Sequence, residues 1–215
     1  GGEGLLYART THWQVLQAAD SLMASPYERG PQLGLRVDAG AAGWRFALET
    51  EYNRFTLPQD QDRTQGRLVG SRLHLLGSLS HPWRAPGWWV VPKLSVNAAS
   101  YRNSSSSVAS GVATRVSASR VIPSFSVDAG FELERDTEAF GRALHQTLEP
   151  RLLYVSTPYR EQSSLPNYDS AAKDFNFVSL YSDNAFSGVD RVSDAHQFTA
   201  GFTTRLVDAT SGAEA

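Results

Sequence analysis

The sequence predicts an all-β protein, an antiparallel up-and-down transmembrane β-barrel to which these 215 residues contribute about eight strands. Three observations predict it. The extended segments are long, the connections between them alternate between long and short, and each segment sorts apolar from polar residues by parity. A barrel strand alternates lipid-facing with lumen-facing residues, and short turns at one rim oppose longer loops at the other.

Gly and Pro punctuate the chain into eight segments, near 5–16, 31–39, 44–55, 67–82, 88–101, 120–134, 140–157 and 196–207. Several exceed the average strand of ~5–6 residues, and ~9–11 tilted residues cross a bilayer. The first segment is ambiguous in its faces. The second sets Leu33, Leu35 and Val37 against Gln32, Arg36 and Asp38. The third, GWRFALETEYNRF, sets Trp44, Phe46, Leu48 and Tyr52 against Arg45, Glu49 and Glu51. The fourth opposes Val69, Leu73, Leu75 and Leu79 to Arg72, His74 and Ser78, with Leu76 breaking the pattern. In the fifth, Leu94, Val96 and Ala98 alternate with Lys93, Ser95 and Asn97. The sixth pits Val121, Phe125, Val127, Phe131 and Leu133 against Ser124, Ser126, Asp128, Glu132 and Glu134. The seventh carries Leu144, Leu148, Leu152 and Tyr154 against His145, Thr147, Glu149 and Arg151. The eighth carries Phe198, Phe202 and Leu206 against Gln197, Thr199 and Arg205.

The connections alternate without a break: 17–30 long, 40–43 tight, 56–66 long, 83–87 short, 102–116 long and Ser-rich, 135–139 short, 158–195 very long, 208–213 short. A soluble sheet with one wet face also alternates, so periodicity alone decides little. Long strands with segregated loop lengths favour the barrel. The polar face mixes both charge signs. A closed eight-stranded barrel has room only for packed side chains, so these strands are expected to belong to a larger circle with a hydrated lumen. Lumen-lining candidates are Arg36, Arg45, Glu49, Glu51, Arg72, Lys93, Glu132, Glu149, Arg151 and Arg205. Trp83, Trp88 and Trp89 at a short turn, with Phe55 and Tyr101 at the long-loop ends, fit aromatic girdles. Pro92, Pro123 and Pro150 lie inside strands, where bulges or weak pairing are expected.

The bulk numbers leave this open while closing other classes. Net charge −2 gives no reason to expect nucleic acid. No run of 18 apolar residues encodes a transmembrane helix. With no cysteine, there is no disulfide, thiolate or Cys-based zinc site. His12, His74, His81, His145 and His196 lack metal-ligand spacing, and DQDRTQG (60–66) lacks the acidic and glycine positions of a calcium loop. No nucleophile-elbow, zincin or phosphate-loop motif occurs, so no enzymatic turnover, cofactor or metal is expected. The paired carboxylates Glu49/Glu51 and Glu132/Glu134 read as lumen lining rather than a glycosidase pair. An opening without Met and an ending in an unfinished turn suggest a fragment.

The most specific stretches are LEPRLLYVSTPYREQSSLPNYDS (148–170) and FSGVDRVSDAHQFTAGFTTRLVD (186–208). They resemble the lipopolysaccharide (LPS)-assembly outer-membrane family, LptD; upstream the likeness is one of strand rhythm. The resemblance implies a barrel of about 26 strands in the Gram-negative outer membrane, preceded by a periplasmic jelly-roll that is not in this chain. It implies LPS as the passenger, received from a periplasmic bridge protein through the jelly-roll and released sideways into the outer leaflet. It implies a plug lipoprotein, LptE, inside the barrel. Some members join their domains by disulfides, which this stretch cannot form.

Connection 158–195 is longer than ordinary loops, and such length usually serves function. Tyr159, Arg160, Asp169, Asp190 and Arg191 are the motif residues expected to contact a partner. The loop is expected to fold over or into the mouth, locked by Arg160 or Arg191 pairing with Asp169 or Asp190. The competing readings are a passive porin-type channel and a soluble β-rich binding domain.

Overall fold

The computed structural model describes residues 1–14, 25–57, 68–106, 113–139, 141–212 and 214. Among the described residues ten strands form one antiparallel sheet: β1 (Gly2–Thr11), β2 (Glu28–Ala41), β3 (Trp44–Thr56), β4 (Val69–Ser80), β5 (Trp83–Ala85), β6 (Trp88–Ser106), β7 (Ala113–Phe131), β8 (Leu133–Ala139), β9 (Arg142–Thr157) and β10 (Ala195–Asp208). The order is β1-β2-β3-β4-β6-β7-β9-β10, with β5 beside β6 and β8 beside β9. Sequential neighbours thus pair throughout, as an up-and-down meander requires. The sheet is not closed: β1 and β10 each have one neighbour.

Eight of the ten strands answer to the eight expected segments; the other two carry the fourth and sixth segments past a break into stretches expected to be turns, β5 within 83–87 and β8 mostly within 135–139. β4 and β5 pair with β6 in one register, as Ser80↔Lys93 and Trp83↔Val90. Between them lie His81 and Pro82, and the His81 N–H still reaches the Pro92 carbonyl at 3.2 Å. β7 and β8 share one register against β9, Gly130↔Arg151 and then Leu133↔Leu148. The break faces Pro150, which has no N–H to donate, while on the other edge the Glu132 N–H continues the β6–β7 register to the Gly87 carbonyl at 2.8 Å. Pro92 and Pro123 behave otherwise than expected. They sit opposite Val127 and Val96 with no shift of register. Register shifts instead where β2 meets its neighbours around Pro31, between Arg29 and Gln32.

Tight turns join strands at one rim. At residues 42–43 both φ angles are positive, 50° at Ala42 and 82° at Gly43. A two-residue hairpin of the primed type needs this, and glycine permits it. Pro86-Gly87 makes the next turn, with φ 79° at Gly87, the proline-then-glycine order of a type II turn. At the other rim lie the ends where β1 leads to β2, β3 to β4, β6 to β7 and β9 to β10.

Several boundaries differ from expectation. β1 ends at Thr11, and Val15 and Leu16 lie outside the described residues. RDTEA is strand, in β8, which runs to Ala139, and Gly141 is a turn residue before β9. The Ser-rich connection is far shorter than 102–116, because β6 and β7 extend to Ser106 and from Ala113 and pair to their ends. Alternation continues there because the ladder has backbone partners to add. DQDRTQG lies outside the described residues.

The faces are as the parity requires. Leu33, Trp44, Phe46, Leu73, Leu79, Leu94, Val121, Phe125, Phe131, Leu133, Leu148, Leu152, Phe198 and Phe202 form an outer face, each 38–69% exposed. Leu144 is the exception, buried to 2% beside the tight-turn rim. No described helix is long and apolar enough to cross a membrane. The inner face differs from a uniformly hydrated wall. Near the long-loop rim it is buried and partly apolar: Phe55, Ala99, Tyr101, Ile122, Leu153 and Val155 are all below 5% exposed. Phe55 and Tyr101 therefore face inward and are not girdle residues, since both carry the parity of the charged positions. Trp89 also faces inward, over Gly130, where a Cβ would fall 2.2 Å from its ring. Outer aromatics include Trp44, Trp83 and Trp88 at the tight-turn rim, with Phe125, Tyr154 and His196 in edge contact toward the other.

Candidate functional site

The layer over the inner face is the connection between β9 and β10. Its ends are fixed by the strands, and its path is fixed by polar side chains reading its own backbone. Gln162 ties the two legs, donating Nε2 to the Val192 carbonyl at 2.8 Å and accepting the Val192 N–H at 3.1 Å. Asn184 accepts the Ser193 N–H at 2.9 Å and donates to the Arg191 carbonyl at 3.0 Å. Ser170 Oγ accepts the N–H groups of Asp190 and Arg191, at 2.8 and 3.1 Å. Arg191 caps the carbonyls of Leu165 and Pro166 at 2.8 and 2.9 Å. Gly188 turns the chain at φ 63°, and a Cβ there would lie 2.4 Å from the Asp169 carbonyl oxygen. A short helix α1 (Phe177–Leu180) starts from a reciprocal Asn176–Ser179 cap.

The centre of this layer's attachment to the wall is an arginine with two carboxylate partners, and Arg120 of β7 also donates to the Val189 carbonyl. Arg72 of β4 donates to Asp169 and to Asp190, each at 2.8 Å, with side-chain exposures of 1%, 12% and 0%. Tyr101 of β6 donates its hydroxyl to Asp190 at 2.8 Å, and the N–H groups of Tyr168 and Asp169 approach the other Asp190 oxygen at 2.6 and 3.1 Å. Arg29 of β2 adds a longer contact to Asp169, 3.5 Å. A buried pair is favourable only when its remaining hydrogen-bonding capacity is met, and here both carboxylates receive several donors. Burial alone would raise the Asp169 carboxyl, but Arg72 and the Val189 N–H outweigh it and hold it at about 2. An aromatic stack supports the clamp. Tyr168 lies flat on Phe55, centroids 4.0 Å apart and planes 6° apart, and the Arg72 guanidinium stands 5.0 Å from the Phe55 ring centre. Its hydroxyl donates to Asn103 at 2.7 Å, and burial raises its pKa.

A second line of contacts holds the distal part of the loop deeper in the barrel. Lys93 pairs with Asp183. Arg151 forks onto Asp128 at 3.0 and 2.7 Å and packs 4.5 Å from the Tyr181 ring centre. Tyr181 covers Gly201, where a Cβ would meet its hydroxyl at 2.5 Å. Tyr7 over Gly34 and Trp89 over Gly130 repeat the device, an aromatic lying on the gap that a strand glycine leaves. The described structure thus reaches from the long-loop rim to the middle of β9 and β10.

Of the expected lumen residues, the geometry gathers Arg72 and Glu51 into this buried region and leaves others on the open wall. Glu51 accepts from Tyr7, from Gln32 at 2.7 Å and from Asn53 at 2.5 Å. Glu49 stands 3.8 Å from His74, and Glu149 pairs with Arg205 at 2.7 Å. Arg36 pairs with its own strand's Asp38 at 3.3 Å, and Arg45 and Glu132 are exposed. In the loop, the expected lock is replaced. Arg160 is exposed and donates to the Tyr159 carbonyl, and Tyr159 bonds Glu161 at 2.8 Å. Neither Arg160 nor Arg191 forms an ion pair with the carboxylate of Asp169 or Asp190; Arg191 is spent on backbone carbonyls, that of Asp190 among them at 3.0 Å, and a wall arginine pairs with both carboxylates instead. Parity could not reveal the further participants Arg29, Tyr168, Ser170, Tyr181 and Asp183. Tyr168 and Ser170 at least flank Asp169 in the NYDS run.

The family model for LptD, LPS transport system D, matches residues 3–215. Relatives named LPS-assembly protein LptD include those of a Polaromonas species, 44% identical over 96% of this chain, and of an Acidovorax species, 41% identical over its full length. That of Ralstonia nicotianae is 38% identical over 99% of the chain. The chain spans about a quarter of the length of these relatives. With the matched model running through nearly every residue and the loop motifs forming one interlocked unit, this chain belongs to the LptD family.

Proposed function

We propose that these strands form part of the wall of an outer-membrane barrel that carries LPS to the outer leaflet. The observation that carries the reading is the contrast between the two faces: a bare apolar outer face, and an inner face roofed by a loop pinned through Arg72. A hydrocarbon-facing wall needs the first, and a conduit that must not leak needs the second. LPS carries phosphate and many acyl chains and cannot cross a bilayer unaided. Arg36, Arg45, Lys93, Arg151 and Arg205, interleaved with carboxylates, offer its anionic head weak and reversible attraction. The roofed part of the lumen is where a plug lipoprotein, LptE, would sit against Tyr159 and Arg160, and a periplasmic bridge protein would deliver LPS through a jelly-roll. The role is transport without turnover, in the outer membrane of a Gram-negative cell.

The test is complementation of cells depleted of the full-length protein. Arg72→Ala and Asp190→Ala should lower LPS arriving at the surface, read by labelling intact cells. Normal LPS delivery by both variants would remove the clamp from the transport role. Normal surface LPS on depletion itself, with reduced small-solute uptake, would favour a passive channel.

A further inference from the structure

At the long-loop rim, a cavity of about 540 Å3 opens between β1, β2 and the leading leg of the loop. The volume falls in the range of small-ligand sites, and its lining is of two kinds. Trp13 and Tyr27 supply aromatic surface. Trp13 is half exposed, and its indole N–H is held by the Tyr27 carbonyl at 3.1 Å. Tyr27 is in turn anchored by its hydroxyl on the Leu68 carbonyl at 2.9 Å and by edge contact with Tyr168 at 5.0 Å. Both rings are thus positioned before any ligand arrives. Arg9 and Arg29 supply the positive charge, and the one carboxylate in the lining, Asp169, is paired with Arg72. Arg29 stands 5.6 Å from the Phe55 ring centre and makes a longer contact to Asp169, a carboxylate already met by Arg72, and Arg9 forms no ion pair among the described residues.

A third feature points to a hydroxyl-bearing ligand. Gln32 lines the cavity and is 6% exposed. Its amide nitrogen is committed to the Glu51 carboxylate at 2.7 Å, which fixes the orientation of the group, since a carboxylate only accepts. The carbonyl Oε1 is buried and has no protein donor. A buried acceptor left unmet costs free energy. We infer that this cavity binds an acidic saccharide: one sugar ring against Trp13, its phosphate or carboxylate on Arg9 and Arg29, and a hydroxyl donated to Gln32 Oε1. Flat aromatic surface suits the apolar face of a sugar ring, and guanidinium groups match phosphate and carboxylate in a fork. The inference rests on the proposed transport function, because it makes the cavity a station for the sugar part of LPS at the outer mouth. An acidic glycan from outside the cell shares the same chemistry.

The experiment uses the full-length protein, purified in detergent with whatever partner accompanies it, and calorimetric titration with three probes. These are deacylated phosphorylated LPS core oligosaccharide, polysialic acid, and neutral maltohexaose. The core oligosaccharide should bind and maltohexaose should not. Arg9→Gln and Trp13→Ala should each weaken binding about tenfold or more, and Trp13→Phe should restore most of it. Preference for the phosphorylated core over polysialic acid assigns the site to LPS; equal binding of both assigns it to acidic glycans at large. Equal binding of maltohexaose overturns the inference. So does binding indifferent to Arg9→Gln and Trp13→Ala in variants whose melting temperature matches the unmodified protein. Surface LPS is measured in parallel. Normal delivery by variants that no longer bind leaves the transport reading standing, whereas loss of delivery on depletion tests that reading by itself.

Discussion

Arg72 carries more of the loop's attachment than any neighbour, since two carboxylates from opposite legs of the loop converge on it. Arg72→Met should destabilise the protein by about 3–5 kcal/mol, because Asp190 is left buried beside an apolar side chain. Heat-modifiability in detergent measures this, and an unchanged transition would contradict it. Asp169 adds a pH dependence. Its folded value, about 2, lies below the usual carboxylate value of about 3.9. The stabilisation is therefore complete above about pH 4 and is lost as pH falls toward 2. Protection of the amides near Asp169 and Asp190 against hydrogen exchange, taken relative to the unfolded chain at the same pH, should fall across that window, and Asp169→Asn should flatten the dependence. Asp169 and Asp190 are identifiable in the sequence as motif residues. Their partner is not, because Arg72 lies about a hundred residues away in the chain and only folding brings it near.

At the scale of elements, the loop behaves as a folded unit rather than a linker. Its polar side chains close on its own backbone, and Gly188 allows the turn that brings Asp190 beneath Tyr168. Gly188→Ala should cost about 1–3 kcal/mol through its positive φ, with a steric cost added against the Asp169 carbonyl. The expected result is protease cleavage within 158–194 under conditions where the unmodified loop resists, and equal resistance would contradict the account. Strand positions were legible because parity is a local property. Loop ends were not: 102–116 reads as Ser-rich coil, yet its flanks pair to Ser106 and Ala113, since ladder bonds are indifferent to serine. Phe55 and Tyr101 read as rim aromatics from their distance along the strand. The parity of each position, which places it inside, is the stronger signal.

The whole molecule is one sheet with two environments. At mid-strand on the outer face, Leu94→Arg should destabilise the barrel in lipid by about 2–4 kcal/mol, while Ser95→Arg on the inner face should cost less; reversed costs in unfolding titrations would invert the assignment of faces. The most direct measurement uses the absence of native cysteine from this stretch. Single cysteines placed in turn from Lys93 to Ala98 of β6 in the full-length protein, spin-labelled and reconstituted in bilayers, report collision with lipid-soluble oxygen or with a water-soluble nickel chelate. The account predicts strict alternation, with oxygen contact strongest at Leu94, Val96 and Ala98 and nickel contact favoured at Lys93, Ser95 and Asn97. Absence of alternation, or shielding of Leu94, Val96 and Ala98 from both reagents, would contradict it.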